Sequence, residues 1–442
     1  MCIKKDKIIN YAKVTLLLLT VILYLCLFFN NQVQLANGTL MVALSALVVL
    51  YYIDKDIFNP ISIYTIFWLA VAGISTFKIS NSQQSWSWYM WLIVLLAYIS
   101  FVIGYFIINR NESNCSSVYN KQYKKIKVDK DKLYLALIVL TSLTLIAFIL
   151  EVSILKYIPL FSDNMSAYRD FSIKGVHYFV VLVGVIPAIT ILYKSIGGKK
   201  NIILFNIISF SISILIVSRQ LIMLQVVLII LAYNYLIKKI KVRSLIATFL
   251  VAIILFSFSF SLRNQNNQYV NDVAKVKVEY QNSILVRPLL YFNMNFENLR
   301  NTVENFDDYK LGTNMIFPVL AFTNTKGFVD YSYKEDYWIN KHFTTSTYLS
   351  DIYYDFGIVG VVVIPFVLGM IYALLYNRTK KYIGISSVIY FILLFSLIFC
   401  FFVNWYYNTT IVFYIVILLL TDIYVNNDSR KYFENIIKRF KK

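Results

Sequence analysis

The sequence predicts an all-α, polytopic membrane protein of about twelve transmembrane helices with one large extracytoplasmic loop, and three observations carry that prediction. Composition is the first: 59% of the 442 residues are hydrophobic, 17% aromatic and only 15% charged, a surface that folding alone does not keep from water. Periodicity is the second, because apolar runs of ~18–22 residues recur along the chain, each long enough to cross ~30 Å of hydrocarbon at 1.5 Å per residue. The third is charge, since a both-ends-inside topology puts most of the lysines and arginines, and essentially the whole net charge of +19, on one face. Loop lysines dispersed in this way form no contiguous groove, so nucleic acid is excluded as a partner and membrane lipid takes its place.

In chain order the runs fall near 14–30, 39–53, 60–77, 87–108, 133–152, 176–193, 201–217, 220–237, 244–262, 346–376, 386–403 and 409–425. The first follows Lys4, Lys5, Lys7 and Lys13 without a small-residue cleavage site after it, and reads as a retained signal anchor. The chain divides accordingly into helices one to nine over 1–262, the loop over 263–345, helices ten to twelve over 346–425, and a basic cytoplasmic tail over 426–442. Four cysteines with no metal-ligand spacing, and two histidines in all, point to neither disulfides nor a metal centre. Trp86, Trp88 and Trp91, and then Trp405, Tyr406 and Tyr407, have the composition of an interfacial aromatic belt.

The 83-residue loop is too long to be a mere connection. Within it Leu289, Phe292, Phe296, Leu299 and Val303 are spaced 3, 4, 3, 4, a helical stripe that begins beside Pro288 and is expected to lie on the bilayer or the helix bundle. Arg287 at the start of that stripe could meet an anion together with free backbone N–H groups, or be a structural or lipid-headgroup arginine. Arg219 is the sharper signal: Ser218-Arg219-Gln220 separates two apolar runs with almost no loop, which forces a permanent charge to the outer membrane boundary. Ligand phosphate or a structural ion pair would compensate it. Arg263, at the outer end of the ninth run, and Arg169, in the outer segment 156–175, are further diphosphate-binding candidates. Asp351 and Asp355 lie four apart at the outer end of the tenth run, on one face, and could accept a proton from a hydroxyl or pair with arginines. Gly357 and Gly360 follow, small enough for another helix or a lipid tail to approach.

These residues carry a family resemblance. Asn59-Pro60 opening the third run, Ile158-Pro159-Leu160 followed by Arg169, Ser218-Arg219 opening a helix, and Tyr354-Asp355-Phe356-Gly357-Ile358-Val359-Gly360 after a long loop resemble, in order and spacing, the Wzy-type oligosaccharide repeat-unit polymerases. These are relatives of the O-antigen ligases. The resemblance implies a glycosyltransferase-C-like fold in the bacterial cytoplasmic membrane, with both termini cytoplasmic, and an inverting reaction at the outer face. There a hydroxyl of one undecaprenyl-diphosphate-linked oligosaccharide displaces the undecaprenyl diphosphate of another. It places the arginine after the serine, here Arg219, on the diphosphate, and implies a chain-length regulator and a flippase as partners. Ligases of the superfamily carry a His-Asn pair eleven residues before the first glycine of the G-x-x-G. Ser346 and Thr347 stand there, and His342 is four residues too early, which argues against a ligase and leaves the base unassigned. A further family spacing, an arginine and a glycine with ten residues between them, is missed by one at Arg300 and Gly312, which have eleven. No Asp-x-Asp stands at an outer position, so no divalent ion or other cofactor is expected.

The rival reading is a flippase or exporter of lipid-linked oligosaccharide, which shares the helix count and the basic inside. The long loop, and the lack of paired halves, favour the polymerase.

Overall fold

The computed structural model describes residues 2–53, 55–109, 125–164, 167–241, 244, 267–283 and 285–426. These are mostly helical, with almost no strand. The principal helices are α1 (Cys2–Phe29), α2 (Val33–Tyr52), α3 (Pro60–Ser75), α4 (Trp88–Asn109), α5 (Lys130–Leu155), α6 (His177–Gly184), α7 (Ile186–Ser195), α8 (Ile203–Leu215), α9 (Arg219–Ile237), α10 (Val286–Asn305), α11 (Phe317–Phe322), α12 (Tyr348–Lys381), α13 (Ile385–Ile398) and α14 (Thr409–Val425). One pair of two-residue strands runs parallel, β1 (Lys125–Ile126) and β2 (Tyr382–Ile383). Among the described residues α2, α4, α5, α9 and α12 are long and apolar enough to cross a bilayer, and α6 with α7, bent by 45°, makes a sixth if the two are one span. The apolar stretches Thr15–Phe29 within α1, Pro60–Ser75, Ile203–Leu215, Ile385–Ile398 and Thr409–Val425 are helical and shorter. The ninth run, 244–262, lies outside the described residues apart from Ser244, as do Arg263 and 427–442.

The chain forms two compact units. The first holds Met1–Asn111, Lys241–Ala373 and Ser396–Tyr407; the second holds Glu112–Ile240, Leu374–Phe395 and Asn408–Lys442.

In the first unit α3 starts where the sequence signals it: Asn59 accepts a bond from Ile61 N at 2.9 Å, and Pro60 sits at the first turn, where its missing N–H costs nothing. A π-turn over Thr65–Ala70 then interrupts the helix. Helices α4 and α12 cross through glycine on both sides, because a Cβ on Gly104 would fall 2.0 Å from Phe366 O and one on Gly369 would fall 2.1 Å from Phe101 O. Backbone meets backbone there, as in membrane helix pairs built on small residues.

The loop helix α10 differs from a surface amphipath. Its expected stripe is buried at Phe296, Leu299 and Val303, with Phe296 stacked on Trp86 and tilted against Trp68 at ring-centroid distances of 5.8 and 5.3 Å. Every residue from Asn293 to Arg300 is buried as well, so the polar face is covered too. Asparagines make that possible. Asn293 donates to Phe77 O at 2.8 Å; Asn298 donates to Phe343 O and Thr345 O at 2.7 Å and accepts from Ile339 N; Asn301 donates to Tyr337 O at 3.0 Å. Each side chain ties a stretch of irregular loop to the helix and satisfies backbone groups that burial would otherwise orphan.

The aromatic belt is corrected by the same packing. Trp86 and Trp405 are buried, and Tyr406 bonds Tyr372 hydroxyl to hydroxyl at 2.9 Å, so these rings brace the unit internally. Trp88 is exposed.

In the second unit a polar cluster holds the break between α6 and α7: Gln225 donates to Val183 O at 3.1 Å and to the Ser209 and Ser213 hydroxyls at 2.9 Å, while Tyr414 donates to Val181 O at 2.5 Å. A bent helix leaves carbonyls without their i+4 donors, and here side chains supply them.

Candidate functional site

The site is organised by a break in α12. Gly357 has φ 55° and ψ −142°, a conformation that costs little for glycine alone, and a Cβ there would lie 2.6 Å from the Tyr309 ring. The loop residue Tyr309 is thus what closes on Gly357, while Gly360 faces Phe356 and Ile352 of its own helix. The break releases the carbonyls of Tyr354 and Asp355 from the helical ladder, and they accept instead from Lys310 N at 2.8 Å and Leu311 N at 3.0 Å. The Asp355 carboxylate completes the anchor. It is fully buried and accepts from Asn314 N, Asn314 Nδ2 and Met315 N at 2.8–2.9 Å.

One turn earlier, Asp351 has a different surrounding. Its carboxylate meets Lys334 Nζ at 2.6 Å, and both side chains are about a quarter exposed. The pair stands in a cleft of about 210 Å³ lined by Ser346, Thr347, Ser350, Thr345, Asn298 and Asn404, with Trp338 and Tyr354 among its aromatic walls. Ser346 and Ser350 are hydrogen-bonded to one another, Thr345 donates to Asn295 Oδ1 at 2.7 Å, and Thr302 bonds the Tyr354 hydroxyl at 2.9 Å. Two lining groups are buried without a hydrogen-bond partner, Thr347 Oγ1 and Asn404 Nδ2. Nearby, burial pushes the Tyr333 phenol above its ordinary pKa, against its bond to Asn314. Hydroxyls, amides, a carboxylate with its lysine and an indole are the groups that grip a polyhydroxylated ligand.

The arginines are distributed. Arg287 lies in the first turn of α10, half-buried, and does not line the cleft. Arg219 opens α9 behind Ser218, whose hydroxyl accepts from Leu221 N at 3.4 Å; its side chain is exposed, and it belongs to the second unit. Arg169 is in the second unit too, on a short exposed turn, with Nε donating to the Tyr168 hydroxyl at 3.2 Å.

A family model described as "Putative O-antigen polymerase" matches residues 56–400, more than three quarters of the chain and all of the site just described except the cleft wall at Asn404. The chain belongs to the O-antigen polymerase family. No curated protein and no solved structure matches it. Within the family's matched span, the Asn-Pro at 59–60, Ser218-Arg219 and the break at Asp355-Phe356-Gly357 each begin or interrupt a helix. The polymerase family's relatives among ligases were expected to differ at Ser346 and Thr347, and both positions lie on the cleft wall.

Two charged constellations escaped the sequence reading. Arg300 is buried at 4% exposure, its Nε 2.9 Å from Glu297 and its Nη1 2.5 Å from Glu304, and the two carboxylates also accept from Gln84 N and Ser87 N at 3.2 Å. Burial pushes the Glu297 carboxyl up, with Arg300 opposing the shift. The spacing Glu-x-x-Arg-x-x-x-Glu was the available signal, one helical face of alternating charge. The other is Glu151, wholly buried near the end of α5, which accepts from Ile173 N at 2.9 Å and faces His177 Nδ1 at 3.1 Å. A lone carboxylate inside an apolar run announces a partner.

Proposed function

We propose that this protein joins undecaprenyl-diphosphate-linked oligosaccharide repeat units into surface polysaccharide at the outer face of the bacterial cytoplasmic membrane. Membership of the polymerase family carries the reading, and the Asp351 cleft supports it with groups suited to sugar. Twelve spans in a glycosyltransferase-C-like arrangement, with both termini cytoplasmic, complete the proposal, the shorter helices crossing where neighbours and local thinning allow.

In this scheme the acceptor sugar lies in the cleft, with its hydroxyls on Thr347 and Asn404 and a ring face on Trp338. The acceptor oxygen attacks the anomeric carbon of the donor while the bond from that carbon to the diphosphate oxygen breaks, which inverts the centre. The hydroxyl proton passes to a carboxylate. Asp351 is the better placed of the two, because both oxygens of Asp355 already accept N–H bonds that hold the loop. Asp355 then positions the site. Arg219, Arg263, Arg287 and Arg169 are the candidates to meet the departing diphosphate, whose growing charge suits bidentate guanidinium contacts without a metal. A chain-length regulator and a flippase are the proposed partners.

Supplying the purified chain with lipid-linked repeat units tests the activity. Lengthened glycan in detergent is expected, and a strain lacking the chain should display single repeat units. A change of lipid sidedness with no lengthening would reassign the chain to export. Topology has its own test in intact cells: cysteines at Gly198 and Lys380 should be shielded from an impermeant thiol reagent, and those at Ser82 and Tyr333 labelled.

A further inference from the structure

We propose that the tip of the large loop, residues 311–325 together with Phe328, is a membrane-inserted wedge whose ligand is the acyl region of the bilayer on that side. No charged residue occurs from Leu311 to Thr325, a run of neutral sequence inside a polar loop. Its surface is two-sided. Gly312, Asn314 and Pro318 are buried against the protein, whereas Leu311 is 84% exposed, Val319 60% and Phe328 89%, and Met315, Ile316 and Phe322 are exposed with them. Six exposed large apolar side chains between Leu311 and Phe328 exceed the scatter of single exposed residues on a soluble surface.

The anchor on α12 fixes the height of this patch. Bonds from Lys310, Leu311, Asn314 and Met315 to Tyr354 and Asp355 hold the segment at the Gly357 break. The exposed apolar stripe of α12 begins at the next residue, Ile358, and continues through Val359, Val362, Val363, Val367, Ile371 and Leu374. From Ile358 to the first basic residue, Arg378, is about 20 residues, ~30 Å of helix and the thickness of the hydrocarbon core. The break therefore stands at the bilayer boundary, and a patch bonded to it meets lipid. Lys310 and Lys326 bracket the neutral run at the level of headgroup phosphates, the arrangement of interfacial segments. Insertion of this tip depends on neither the polymerase activity nor the sidedness of the membrane.

Spin labels on the full-length chain test it, with Cys2, Cys26 and Cys115 replaced by serine and single cysteines introduced as Val319→Cys, Phe328→Cys and, as a water-exposed reference, Glu335→Cys. The protein is reconstituted alone into phosphatidylethanolamine–phosphatidylglycerol vesicles. Labels at 319 and 328 should collide more with oxygen than with a water-soluble nickel chelate, and the label at 335 should show the opposite ratio. Nickel access at 319 and 328 equal to that at 335 would overturn the proposal. So would shielding accompanied by spin–spin broadening, which assigns the patch to contact between two copies.

Discussion

Asp351 and Asp355 sit one helical turn apart, carry the same carboxylate and share a face, yet their surroundings are opposite. Asp355 is sealed, with each oxygen accepting from the backbone of a loop it holds in place. Asp351 is open to a cleft, bonded to a lysine that is itself partly exposed, beside hydroxyl and amide groups that have no partner. Spacing in a helix reports which residues share a face; it does not report what that face meets forty residues away in the chain. The difference separates a group that builds the site from one that is available to work in it.

Substitutions can break that distinction, and they rank by the stability each removes. Arg300→Ala should be the most damaging, because it strands Glu297 and Glu304 without their cation, a loss of about 3–5 kcal/mol for a broken buried pair. Membrane abundance should fall sharply, whereas Arg300→Met with both glutamates changed to Gln should recover most of it. Asp355→Ala comes next, leaving two buried N–H donors and a part-buried one without their acceptor, a net loss of about 1–3 kcal/mol once the loop relaxes toward water, and thermal melting in detergent should show it. Normal melting of Asp355→Ala would remove its anchoring role. Gly357→Ala should cost roughly 1–3 kcal/mol through its positive φ and the Tyr309 contact.

Asp351→Asn should leave melting nearly unchanged, since a partly exposed ion pair is worth about 0–1 kcal/mol, but should slow glycan lengthening about 10²–10⁴-fold if the carboxylate takes the proton. Equal loss of melting and lengthening would place Asp351 with Asp355. Arg219→Lys should alter stability least, within ~0.5 kcal/mol at an exposed position, while shortening the polymer because an ammonium offers no bidentate fork. Full-length polymer from Arg219→Ala would refute the diphosphate assignment.

Apolar periodicity made the helices legible. Asn59-Pro60, Ser218-Arg219 and the Leu289–Val303 stripe each predicted an element that is present, because capping, helix-start and burial signals are local. The cleft was not legible. Its walls come from α10, the segment around Lys334 and Trp338, the start of α12 and Asn404, and only folding brings them together. Arg300 misses a family spacing by one residue, whereas its own i−3 and i+4 glutamates are the signal that points to the ion pairs it makes. The asparagines of α10 were passed over for a related reason: a poor helix former repeated along a helix is unremarkable until the backbone it serves is known.

The anchor at Asp355 also sets an order of events during synthesis. A ribosome delivers residues 310–315 to the membrane before it makes the helix that will hold them, so the loop emerges with its neutral tip unmoored. Its docking waits until α12 has entered the bilayer and broken at Gly357. Until then the longest loop of the chain is the part most open to proteases and to wrong partners. Any lesion that delays insertion of the tenth apolar run should therefore reveal itself first as cleavage some forty residues upstream, in a segment whose own sequence is unchanged.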